Sequence, residues 1–238
     1  MTASPGWSKF KGAAVSAARD PATWLPALGA VVVQASGRDR ELTENVMGEG
    51  GQYGLSHEAV ASSDRHRTRV DQLWMLSLLA TDSGPEDVLS NKLGGALTQA
   101  AIVNVSIATT NGLKSVVRRS GPGEDMPADE YDGFPSNHSM PPFTQAALIR
   151  RNLHYIPVNK FTQYSLVTAS YGLASASAYG RVEAGLHFLS DQLAGAALGN
   201  FLGLLMYDTF FEDNRSWSIT LSPSLNSHHT ALEFRRRF

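Results

Sequence analysis

The stretch Gly180-Arg181-Val182-Glu183-Ala184-Gly185-Leu186-His187-Phe188-Leu189-Ser190-Asp191 places an arginine, a histidine and an aspartate in an otherwise charge-poor half of the chain. If the chain is helical from Leu186 onward, His187 and Asp191 lie four residues apart on one face. The carboxylate then holds one ring nitrogen while the other points outward, which is the geometry of an oriented histidine nucleophile. Arg181 precedes His187 by six residues, roughly 240° round an ideal helix. It reaches the same site only if the chain turns before the helix starts, and Gly180 and Gly185 permit such a turn. Helical His/Asp pairs are also common on solvated faces, so the reading needs support from elsewhere in the chain.

Two further tracts supply it. In Phe134-Pro135-Ser136-Asn137-His138-Ser139 a proline, a hydroxyl and a small turn-forming residue precede a histidine at a helix start, where backbone N–H groups point at an anion. In Lys114-Ser115-Val116-Val117-Arg118-Arg119-Ser120-Gly121-Pro122 a cationic cluster closes a long uncharged run. A lysine with two arginines makes an oxyanion clamp.

In this order, the three tracts resemble the signature of the type 2 phosphatidic acid phosphatase superfamily, which also contains the bacterial non-specific acid phosphatases and the vanadium haloperoxidases. The resemblance runs from Lys114 to Asp191. The family's last element, Arg, five residues, His, three residues and Asp, is matched without a gap by Arg181, His187 and Asp191. Its Pro-Ser-Gly-His element is matched by Pro135, Ser136 and His138, with Asn137 in place of glycine; asparagine is the non-glycine residue that best tolerates positive φ. In the first element Lys114, Arg119 and Pro122 fit the family frame, and Gly121 stands where a second arginine belongs. Arg119 keeps the upstream frame and is expected to supply the missing contact, with Arg118 facing away.

The resemblance implies an all-α, single-domain helical bundle of the acid phosphatase and haloperoxidase type, hydrolysing phosphate monoesters through a phosphohistidine without a metal. The substrate is a lipid phosphate or a small soluble phosphate ester. His187 would attack phosphorus, Asp191 would orient it, and His138 would protonate the leaving oxygen and then activate water. Lys114, Arg119, Ser136, Asn137 and Arg181 would bind the phosphate. No cofactor is expected, vanadate being an inhibitor. The alternatives are a vanadium-dependent haloperoxidase, with vanadate as its cofactor, and a degenerate, non-catalytic anion-binding or membrane-scaffold protein.

The 238 residues suit one domain, and 42% hydrophobic content is enough for a core. Residues 1–20 read as an N-terminal arm or short amphipathic helix, 21–212 as the helical phosphatase domain and 213–238 as a polar C-terminal tail. A net charge of −2 gives no polyelectrolyte attraction to nucleic acid, which is not expected as a partner. Zero cysteines exclude disulfides, zinc–thiolate sites and a cysteine nucleophile. The apolar stretch Ala22 to Val33, behind Lys9, Lys11 and Arg19 and before Val33-Gln34-Ala35, also admits reading as a signal peptide. A bacterial periplasmic or membrane-associated location is the expectation, with the cytoplasm left open. The oligomeric state is not legible.

Helices are expected over Pro21–Gln34 behind Asp20 as cap, over Val70–Thr81 as a core helix, and from Pro85 through the small-residue run that delivers Lys114. Others follow Pro135–Ser139 to about Leu153 and span Phe161–Tyr179 and His187–Phe211. Gly37–Arg69 reads as polar, with His57 and His66 at the surface along with His228 and His229; Gly121–Gly133 reads as a loop. No alternating β pattern is read, and helix periodicity accounts for every apolar segment. Leu93–Leu113, Phe161–Gly180 and Gln192–Tyr207 approach the length of membrane spans. Their Ser, Thr, Asn, Gln and Gly content, with a mean hydropathy of −0.17 for the chain, favours buried helices of a soluble bundle, while the polytopic lipid-phosphatase branch keeps membrane association open.

Overall fold

The structure is a computed structural model that describes residues 6–47, 51–80, 88–123, 133–156, 158–210, 217–223 and 230–236. The body is helical, as expected. Its elements are α1 (Trp7–Arg19), α2 (Pro21–Ala35), α3 (Asp39–Glu44), α4 (Ser56–Ser77), α5 (Val88–Val117), α6 (Met140–Asn152), α7 (Lys160–Glu183) and α8 (Leu189–Phe210). The expected helix end at Thr81, the start at Pro85 and most of the loop Gly121–Gly133 lie outside the described residues, as do His228 and His229.

Helix α8 is largely apolar with no distinct polar face, its Asp191, Gln192 and Asn200 being buried, and such a helix belongs in the centre. It packs against α1, α2, α5, α6 and α7. Its glycines set how closely α6 approaches: a Cβ at Gly199 would stand 2.1 Å from the Met140 carbonyl oxygen, and one at Gly195 would stand 2.9 Å from the Ser139 Cβ. The Ser139 hydroxyl donates to the Gln192 carbonyl at 2.6 Å across the same seam. This close approach brings the tract around His138 to the tract around Asp191.

The polar residues that dilute the apolar helices bond between them. Thr144 of α6 donates to Ser106 of α5 at 2.9 Å, and Gln99 of α5 donates to Asn152 of α6 at 2.7 Å. Asn152 in turn donates to Ser77 of α4 at 2.8 Å. Each buried amide or hydroxyl thereby recovers the partner it lost with water.

Several boundaries differ from expectation. Asp20 caps α2 through the Ala22 N–H at 3.0 Å, as read. The polar region 37–69 contains α3 and most of α4, because Ala59, Ser62 and Ser63 are small enough to face the core without an apolar stripe. His57 is exposed, but His66 is half-buried, with a buried Nδ1 and its ring 5.7 Å from that of Tyr53, so it is not a plain surface residue. The expected arm is α1, whose Ala17 packs with Ala147 and Leu204.

The C-terminal segment holds an antiparallel hairpin of β1 (Trp217–Pro223) and β2 (Thr230–Arg236), with Ile219 opposite Phe234 and Leu221 opposite Leu232. The sequence reading missed it, although Trp217, Ile219 and Leu221 alternate with Ser218, Thr220 and Ser222 in the period of a strand.

Candidate active site

Helix α7 ends in a Schellman turn: Gly185 at φ +73° lets the Leu186 N–H reach the Arg181 carbonyl at 3.0 Å and its own N–H reach Val182 at 2.9 Å. The expected turn is present, and Gly185 makes it. Gly180 does not; it lies inside α7, where a Cβ would stand 2.8 Å from the Ala59 carbonyl oxygen, and so serves the packing of α4. His187 follows the turn but precedes α8, which begins at Leu189 rather than at His187. The expectation that His187 and Asp191 share one helical face is thereby corrected.

The two side chains have different partners. His187 Nδ1 lies 2.7 Å from the Gly133 carbonyl oxygen. A carbonyl oxygen only accepts, so Nδ1 carries the proton, and Nε2 is the basic nitrogen of the neutral ring. Asp191 instead accepts from the Phe188 N–H at 3.0 Å, the return half of a capping box, and from Arg119 at 2.6 Å. The Gly133 carbonyl thus takes the orienting role that the spacing had assigned to Asp191.

Arg119 is held firmly. Its Nη1 donates to Asp191 and, at 2.8 Å, to Ser190; its Nη2 donates to Asp39 at 2.6 Å; its guanidinium lies 4.3 Å from the centre of the Phe188 ring. Asp39 also accepts from the Ser190 N–H at 3.1 Å, and Thr43 accepts from the Leu189 N–H at 3.1 Å. The first turn of α8, where an anion would be favoured, is therefore occupied by carboxylates of the protein. Burial pushes the Asp191 carboxyl up to about 7 despite the opposing Arg119 charge, and Asp39 adds to the rise. Arg119 is left with its Nε–H and one Nη2–H for any anion, fewer than the expected clamp assumed.

Arg118 follows α5 in the left-handed region, at φ 51°, and is exposed. Lys114 is buried in the last turn of α5. The segment after α5 is tied to the His187 turn, because the Gly123 N–H donates to Gly185 at 3.0 Å and the Gly133 N–H donates to Arg119 at 2.8 Å.

The second cluster gathers round Arg181. Its Nε donates to Ser63 at 3.1 Å, and its Nη2 contacts both Asp64 and, at 2.5 Å, His138 Nε2. His138 Nε2 is 3.0 Å from the same Asp64 oxygen. Burial, then the Arg181 and Arg67 charges, push the His138 ring down to about 4. The imidazole is therefore neutral near pH 7. Burial also lowers Arg181, while Asp64 opposes the change.

The His138 N–H donates to the buried Ser136 hydroxyl at 3.1 Å. Asn137 Nδ2 donates to Asn111 at 3.2 Å, and Asn137 is absent from the positive-φ residues, so its tolerance of that region is not what suits it here.

Of the expected residues, Arg181 meets His138, Arg119 meets Asp191, and His187 meets the backbone beside Arg119. Sequence reasoning missed Asp39, Ser63, Asp64, Arg67 and the Gly133 carbonyl. The one local signal was on α4, where Asp64 and Arg67 are three residues apart and share a face.

A histidine with its Nε2 deprotonated, a second neutral histidine against an arginine, and the cations Lys114 and Arg119 in and just after the last turn of α5 are groups that phosphoryl chemistry can use. The family model of the PAP2 superfamily matches residues 95–215, just over half of the chain, and the protein belongs to that superfamily. Its members are generally phosphatases, acting on phosphate esters. Comparison with curated proteins and with solved structures returned no match.

Proposed function

We propose that the protein hydrolyses phosphate monoesters through a phosphohistidine at His187. The carrying observation is the 2.7 Å contact of Nδ1 with the Gly133 carbonyl, which leaves Nε2 as the nucleophile. In the proposed first step Nε2 attacks phosphorus, and the bond to the leaving oxygen breaks as His138 supplies its proton. In the second step His138 takes a proton from water, which displaces phosphate from His187. Lys114, Arg181, the remaining N–H groups of Arg119, the Ser136 hydroxyl and the Asn137 N–H stabilise the non-bridging oxygens. Asp191 acts on this site through Arg119 and the α8 cap. His138, pushed down to about 4, needs the charge of a bound phosphate dianion to hold its proton.

Metal independence is part of the proposal. Turnover is expected to survive EDTA and to be blocked by vanadate; loss of activity in EDTA with recovery on adding a divalent ion contradicts it. A second reading, a non-catalytic anion binder, draws support from the carboxylates that occupy Arg119. Phosphate binding without turnover of sugar, nucleotide or lipid phosphates would establish it.

The lipid-phosphate substrate and a membrane-associated, periplasmic location are also proposed. Among the described residues α8 is the one helix long and apolar enough to span a membrane, but 56% of its apolar window is buried inside the fold. Support for surface association comes from α2, which has no charged residue and turns Trp24, Leu25, Leu28, Val31 and Val32 outward. Co-flotation with anionic vesicles, lost in Leu28→Glu/Val32→Glu, is the expected result.

A further inference from the structure

Helix α4 reaches the site through two neighbouring residues of unequal standing. Asp64 and Ser63 both contact Arg181, but the Asp64 side chain is 55% exposed, and the oxygen that meets Arg181 is also 3.0 Å from His138 Nε2. Ser63 is fully buried. A mid-helix serine ordinarily bonds back to its own helix. The Ser63 hydroxyl instead crosses to α7, where it donates to the Ser177 carbonyl at 2.7 Å and accepts from Arg181 Nε at 3.1 Å.

Both roles of that hydroxyl are fixed by its partners. A carbonyl oxygen only accepts and a guanidinium only donates, so the single hydroxyl hydrogen lies toward Ser177 and a lone pair lies toward Arg181. Gly180 allows the approach: a Cβ there would stand 3.0 Å from the Ser63 Cβ and 3.3 Å from the Ser63 N. The contact is thus built into the seam between α4 and α7.

Under the phosphatase reading, on which this inference rests, an incoming phosphate takes the place of the exposed Asp64 on Arg181. The buried bond at Nε is outside that exchange, and it holds the planar guanidinium by the nitrogen nearest its stem. We propose that Ser63 is a positioning residue for the reaction, keeping Arg181 aimed at the phosphoryl oxygens while Asp64 gives way to substrate. Part of the site then stands on α4, outside residues 95–215 of the family match. Loss of the hydroxyl leaves the Nε–H without this acceptor, a cost the guanidinium relieves by leaving its place.

The test is a double-mutant cycle on kcat/KM for 4-nitrophenyl phosphate in the wild type, Ser63→Ala, Arg181→Ala and the double variant. Ser62→Ala is the control, since Ser62 is buried beside Ser63 and pairs with Arg65. Excess enzyme keeps the slow Arg181→Ala rate measurable. Ser63→Ala is expected to lower kcat/KM about tenfold or more, as loss of a hydrogen bond to a charged group requires. In the Arg181→Ala background it is expected to change nothing beyond about twofold. A residue that only packs α4 against α7 lowers both backgrounds by the same factor. That result, an unchanged Ser63→Ala, or an equal loss in Ser62→Ala overturns the proposal. If Ser63→Ala does not fold, Ser63→Cys, a weaker acceptor of similar shape, replaces it under the same criteria.

If the wild type turns over no ester, calorimetry with inorganic phosphate separates the two ideas. A phosphate affinity that falls about tenfold in Ser63→Ala, and no further in the double variant than in Arg181→Ala, keeps the role of Ser63 while the phosphatase reading fails. Equal losses in both backgrounds, or no phosphate binding by the wild type, overturn it.

Discussion

Arg181 and Arg119 both reach the site from the end of a long helix, yet they are held in opposite ways. The carboxylate on Arg181 is Asp64, whose side chain is 55% exposed; those on Arg119 are Asp39 and Asp191, at 8% and 0%. An exposed ion pair contributes little and exchanges readily for an incoming anion. A buried arrangement is different, because withdrawing the arginine strands two desolvated carboxylates. Under the proposed function, Arg181 is the arginine free to turn to substrate, and Arg119 is first a structural clamp on the start of α8 and only second an anion ligand.

The largest expected effect is at Arg181. Arg181→Ala removes a preorganised donor, and kcat/KM should fall by about 100- to 1000-fold. A loss of less than about tenfold in ester hydrolysis would break the comparison on its active side.

The next effect lies at Arg119. Arg119→Ala should lower kcat/KM by about 10- to 100-fold, with Arg118→Ala close to wild type, since Arg118 is exposed. Arg119→Ala should also lower the urea midpoint more than Arg181→Ala does, the opposite order to the activities. Equal midpoints would show that Asp39 and Asp191 do not depend on Arg119.

The smallest effect is on the pH dependence of stability, where the two clusters have opposite signs. Asp191, raised to about 7, is protonated in the folded chain across a window where the unfolded carboxyl is ionised, so its contribution declines as pH rises from about 4 to about 7. His138, lowered to about 4, is neutral when folded while the unfolded ring still binds a proton up to about 6.5, so its contribution grows with pH over nearly the same window. The two slopes oppose each other in the wild type. In denaturant titrations at pH 4.5 and 6.5, chosen as about the ends of that window, Asp191→Asn should therefore gain stability with rising pH relative to wild type, and His138→Gln should lose it. Slopes unchanged by Asp191→Asn would mean that its carboxyl is ionised throughout.

The sequence was informative where neighbours along the chain make the structure. The Gly185 turn, the Asp20 cap, the close helix packing at Gly195–Gly199 and the delivery of Lys114 by α5 are each written within a few residues. The site's ion pairs are not, because Asp39 and Asp64 lie 80 and 117 residues along the chain from Arg119 and Arg181 and leave no local mark. The His187–Asp191 spacing was read as a helical face because nothing local revealed that Phe188 would cap α8 and claim Asp191. The hairpin was legible in its alternation and was hidden by the polarity of its surroundings.

If His187 carries the phosphoryl group, the intermediate can be trapped on it. Wild type and His187→Ala are mixed with a 32P-labelled ester, quenched in alkali within the first turnover, digested and mapped. An alkali-stable, acid-labile label is expected on the peptide containing His187 in the wild type, with neither label nor turnover in the folded variant. Label on another residue, or hydrolysis by His187→Ala at a rate near wild type, would contradict it.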